Sequence, residues 1–70
     1  MSPRISPAAR AAILARHDGA VDVDVYWSRW DRVWIVSARD ADDNQVGDAE
    51  LHANLGALKA AMRADEERAA

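Results

Sequence analysis

The chain has no cysteine and no phenylalanine, a single lysine, three glycines and two prolines among 70 residues. Without cysteine there are no disulfide staples and no thiolate metal sites. The two histidines, His17 and His52, stand far apart and lack metal-ligand spacing, so no metal is expected. No Gly-rich phosphate loop occurs. No serine stands in a pattern that pairs it with a histidine base. The chain is therefore expected not to be an enzyme and to need no cofactor. Long hydrophobic runs are missing too. The apolar part of residues 8–15 is short and interrupted by Arg10, which fits neither a secretory h-region nor a membrane span. A soluble, cytoplasmic protein is expected.

What is present is alanine, arginine and tryptophan. Sixteen residues are alanine, and arginine outnumbers lysine eight to one. Such a bias reads as GC-rich coding, which suits a bacterium, its phage or a mobile element. Seventy residues make one domain, which buries roughly 60% of its unfolded surface and is correspondingly marginal. The net charge of −3 is unevenly spread: residues 1–39 hold six Arg against four Asp (+2), and residues 40–70 hold three basic against eight acidic side chains (−5). This is not the basic footprint of a general phosphate binder.

Local signals give the element order. Ser6-Pro7 opens a first helix, with serine as cap and proline at the first helical position. Ala8 to Arg16 are helix formers, and Gly19 is a candidate C-cap. Residues 20–28 alternate Val21, Val23, Val25 and Trp27 with Asp22, Asp24, Tyr26 and Ser28, the period of a half-buried strand. Residues 32–39 are apolar on both faces, as in a central strand. Asp40 to Asn44 form a polar turn, and a weaker third strand is expected around Gln45 to Ala49. Leu51, Leu55, Leu58 and Met62 then follow helical spacing, with Asp48 or Asn54 as cap. The expected fold is α+β: an antiparallel meander of two to three strands packed on a C-terminal amphipathic helix, with a short N-terminal helix beside it (α-β-β-(β)-α). Residues 1–5 and 66–70 are expected to fray. In element order alone this is similar to double-stranded RNA-binding domains and to some three-stranded DNA-binding domains of integrases. The segment Glu50 to Asn54 is acidic or neutral where such domains are basic, and no site residues carry over.

Trp27, Trp30 and Trp34 sit within eight residues, inside the β-rich stretch. Their placement depends on hairpin register, because a one-residue slip exchanges the faces of a strand. An even loop, such as 28–29 or 27–30, opposes Val25 to Arg32 and Val23 to Trp34, and puts the indoles with the valines. An odd loop, such as 27–31, opposes Tyr26 to Arg32, Val25 to Val33 and Val23 to Ile35, and turns Trp34 to the opposite face. The odd loop is favoured, because the even one drives Arg32 onto the valine face, where an unpaired charge is costly. The candidate partner-binding surface is then Tyr26, Arg29, Trp30, Arg32 and Trp34, an aromatic and arginine composition typical of interface hot spots.

Two other motifs attract less. Asp40-Ala41-Asp42-Asp43-Asn44 begins like a calcium loop but has Gln45 where glycine belongs and Leu51 where glutamate belongs. It reads as a solvated acidic turn. Arg16-His17-Asp18-Gly19 reads as a helix C-terminus. The functional expectation is a non-catalytic module that docks a protein partner, as a phage or mobile-element modulator or inhibitor of a host complex. A second copy of the chain is a further candidate partner. The alternative is a nucleic-acid-binding module that stacks bases on an open sheet face. No membrane association is expected.

Overall fold

Two helices lie against one face of a three-stranded antiparallel sheet. A computed structural model describes residues 4–69, in the order α1 (Pro7–Arg16), β1 (Asp22–Ser28), β2 (Val33–Arg39), β3 (Glu50–His52) and α2 (Leu55–Ala69). The strands are ordered β1-β2-β3, so the doubly apolar β2 is central. The expected α+β architecture is present. The fraying expected at both ends falls partly on residues 1–3 and 70, which lie outside the described residues. Within them, Ile5 packs against the core and α2 runs through Ala69.

Caps set the helix starts. Ser6 Oγ accepts from the Ala9 amide at 3.2 Å, with Pro7 at the first position. Asn54 Oδ1 accepts from the Ala57 amide at 2.8 Å and starts α2 late. Each cap is worth about 1 kcal/mol. The first helix closes at His17, and Gly19 takes φ +88° inside a turn in which the Ala20 amide donates to the His17 carbonyl.

The favoured hairpin register is overturned. Val25 opposes Val36, Val23 opposes Ala38 and Trp27 opposes Trp34, and the final pair is Ser28↔Val33. The connection is thus the four-residue segment 29–32, an even loop. Its chemistry explains the outcome. Ser28 Oγ accepts from the Asp31 amide and donates to the Asp31 carboxylate, and the Arg32 amide closes on the Ser28 carbonyl at 2.7 Å. Arg32 takes φ +55° and ends the turn in the left-handed region. It is a loop residue pointing at solvent, not a strand residue on the valine face. The burial cost that disfavoured the even loop therefore does not arise.

Two further expectations are corrected. The third strand is Glu50–His52 rather than Gln45 to Ala49; Gln45 forms only an isolated bridge to Arg39. Leu51 belongs to that strand and is 63% exposed, so it is not part of a helical stripe. Leu55 is also exposed. The buried face of α2 is instead Leu58, Met62 and Asp65, spaced four and three residues apart.

The core is Ile13, Val25, Val36, Leu58 and Met62, with Ile5, Val23 and Trp34 packed around it. Burial of each large aliphatic side chain contributes about 1.5–3 kcal/mol. Buried Asp65 is matched by Arg16, which also donates to Glu50 at 3.2 Å, while Arg68 approaches Asp65 at 3.7 Å. The Asp65 hydrogen bond holds the Arg16 guanidinium above its already high ordinary pKa, against the opposing effect of burial. Ser6 Oγ donates to Glu66 at 2.7 Å and ties the two helices a second time.

Candidate functional site at the hairpin end

Strand alternation and register assign every sheet side chain to a face. Val23, Val25 and Trp27 of β1, Trp34, Val36 and Ala38 of β2, and Glu50 and His52 of β3 share the helix-covered face. Asp22, Asp24, Tyr26, Ser28, Val33, Ile35, Ser37, Arg39 and Leu51 share the open one.

The five expected binding residues are accordingly divided. Tyr26 lies half-buried on the open face. Trp34 lies on the opposite face, half-buried against the core cluster. Arg29, Trp30 and Arg32 lie on neither; they form the exposed tip of the hairpin. Trp30 is 89% exposed, with the Arg29 guanidinium 5.9 Å from its ring centroid. That contact is a cation–π geometry at the outer limit of its range, and it is weak at so exposed a site.

Trp27 was absent from the expected set and belongs to this end of the molecule. It meets Trp34 edge-to-face, with ring centroids 5.5 Å apart and planes at 62°, and 45% of it remains exposed. The cross-strand row is Trp27–Trp34–His52. The Nε2 of His52 is buried without a hydrogen-bond partner among the described residues. The indoles therefore divide the labour: Trp34 anchors the hairpin to the core, Trp27 is half in and half out, and Trp30 is free. The signal for Trp27 was available in the sequence, since it continues the Val21-Val23-Val25 alternation. Only the register pairs it with Trp34.

The acidic turn is self-satisfied. Asp40 Oδ1 accepts from the amides of Asp42 and Asn44, both at 2.9 Å, and Asp43 takes φ +64°. This carboxylate organises its own loop. No group of three or more ligating side chains converges on a metal position among the described residues. An open groove of about 380 Å³ lies along the helices, lined by Ala11, Ala12, Ala15, Arg16 and Arg68. Both arginines there already face Asp65. No helix among the described residues is long and apolar enough to cross a membrane.

No known protein family, curated protein or solved structure matches this chain.

Proposed function

We propose that this domain is a non-catalytic protein-interaction module that docks a partner through its hairpin end. Arg29, Trp30 and Arg32 make the first contact, and the exposed part of Trp27 extends it. The carrying observation is Trp30, 89% exposed on a turn whose backbone is held by Ser28 and Asp31. A large indole presented on an ordered turn loses little conformational freedom on binding, which is the usual character of a hot-spot anchor. Tyr26 and Trp34 contribute differently from the sequence-based expectation: Tyr26 from the open face, Trp34 by fixing the hairpin from within. Small size, acidity and GC-rich coding bias fit a phage or mobile-element product that modulates a host complex.

Stacking of nucleic acid on the open face draws less support. Of Tyr26, Arg32 and Trp34, only Tyr26 lies on that face, beside Asp22 and Asp24.

The test compares capture of a partner from host lysate by immobilised wild-type domain, Trp30→Ala and Leu51→Ser. Trp30→Ala is expected to lose the captured band with an unchanged circular-dichroism spectrum, and Leu51→Ser to retain it. Retention by Trp30→Ala, or loss through Leu51→Ser alone, refutes the hairpin-end reading.

A further inference from the structure

The backbone of β1 has an inner and an outer edge, and the hydrogen bonds say which residues face outward. The Val46 amide donates to the Ala38 carbonyl at 2.8 Å and the Asp40 amide to the Asn44 carbonyl at 3.0 Å. Ala38 therefore bonds away from β1, whereas the Arg39 carbonyl accepts from the Val21 amide on the β1 side at 2.8 Å. Alternation then directs the backbone groups of Val33, Ile35, Ser37 and Arg39 toward β1, where they meet Ser28, Tyr26, Asp24 and Asp22. The N–H and C=O groups of Val23, Val25 and Trp27 point outward, along a free sheet edge. The Val23 amide is held by Asp22 Oδ1 at 2.9 Å, and Arg10 Nη2 donates to the Val21 carbonyl at 2.8 Å and closes the N-terminal end of that edge. No backbone partner faces Val25 or Trp27 on this side among the described residues.

We propose that this edge pairs with β1 of a second copy, antiparallel and centred on Val25. Three features select that occupant and register. Outward-facing residues must oppose one another, and centring on Val25 matches all three: Val25 with its own copy, and Val23 with Trp27 of the second copy in both directions. Each such pair exchanges two hydrogen bonds, with the Val23 amide leaving Asp22 Oδ1 for the Trp27 carbonyl of the second copy. Centring on Asp24 instead sets two aspartates face to face, which is unfavourable, whereas centring on Val25 sets Asp24 against Tyr26 and Asp22 against Ser28. The half-exposed Trp27 gains Val23 of the second copy as a neighbour on the helix-covered face. Two three-stranded sheets become one continuous sheet. The antiparallel geometry sends the two hairpin tips to opposite ends, so both Trp30 side chains stay free.

The measurements are sedimentation equilibrium over a concentration series and amide hydrogen exchange on the same samples. The expected mass is twice 7.7 kDa at high concentration. The Val25 and Trp27 amides are expected to exchange slowly in the dimer and to lose that protection on dilution. Tyr26→Asp places a carboxylate against Asp24 in both directions and is expected to weaken dimerisation about tenfold. A chain that stays monomeric up to about millimolar concentration overturns the proposal. So does a dimer whose Val25 and Trp27 amides exchange fast; loss of that dimer in Leu51→Ser would assign it to the open face. Should Tyr26→Asp fail to fold, the exchange data on the wild-type chain decide alone. Trp30→Ala leaves dimerisation unchanged, which keeps this result separate from partner docking.

Discussion

Asp65 offers the sharpest test of how this small core is held. Its side chain is 7% exposed, on the same helical face as Leu58 and Met62. Asp65→Ala removes the acceptor of the Arg16 guanidinium. A hydrogen bond to a charged group contributes about 1.5–3 kcal/mol, and a buried pair broken on one side costs about 3–5 kcal/mol. Arg16 is 31% exposed and keeps Glu50, so its charge is only partly stranded. The expected loss is therefore about 2 kcal/mol, below the fully buried limit. A domain of this length holds about 4–10 kcal/mol in all, so the variant should lose a fifth to a half of its stability. With a urea slope of about 1 kcal/mol/M, the unfolding midpoint falls by about 2 M, read by tryptophan fluorescence and circular dichroism. Arg16→Met combined with Asp65→Leu should recover most of that loss, because a matched apolar pair removes both charges from the interface. A cost below about 0.5 kcal/mol for Asp65→Ala, or strict additivity of the separate Arg16→Met and Asp65→Leu changes in the double variant, would refute the reasoning.

Other outcomes follow from single positions. Gly47 takes φ +71°, and a Cβ there would meet His17 Nδ1 at 2.8 Å, so Gly47→Ala should cost about 1–3 kcal/mol in a denaturant titration. Arg32→Gly relieves the left-handed residue that ends the hairpin turn and should raise the thermal midpoint, by about 0.5–1 kcal/mol in stability. Trp34→Ala should cost about 2–3 kcal/mol, less than a fully buried indole, whereas Trp30→Ala should stay within about 0.5 kcal/mol. The raised pKa of Arg16 predicts that its pairing survives alkali: the contribution is complete below the unfolded-state value and lost only above the folded one. Alanine replacement at Arg16 should therefore cost the same at pH 7 and at about pH 10, compared by urea unfolding.

Local chemistry is legible in the sequence. Ser6-Pro7 and Asn54 act through hydrogen bonds to amides three residues on, so short sequence windows reveal them. The valine alternation of β1 and the doubly apolar β2 follow from a strand's period and its central position. Of the candidate site, Arg29 and Trp30 lie in the loop where the sequence puts them, whereas Arg32, read there as a strand residue opposite Tyr26, lies in the turn. Tyr26 and Trp34 were assigned to one surface, and they lie on opposite faces.

That division marks what sequence could and could not determine here. It determined the elements and their order, because caps, turns and periodicity depend on neighbours a few residues apart. Tertiary structure alone decided the short third strand and the partner of Asp65, while the register fell to the detailed geometry of one turn. The register hinged on whether Arg32 counts as strand or turn, a choice made by a left-handed φ and the Ser28–Asp31 bonds rather than by hydrophobic pattern. Leu51 fits a helical spacing equally well, yet pairing with Ile35 holds it in β3. Nothing near Asp65 in the sequence signals its burial; Arg16, forty-nine positions earlier at the end of α1, meets it. Contacts between residues so distant in the chain leave no local pattern to read.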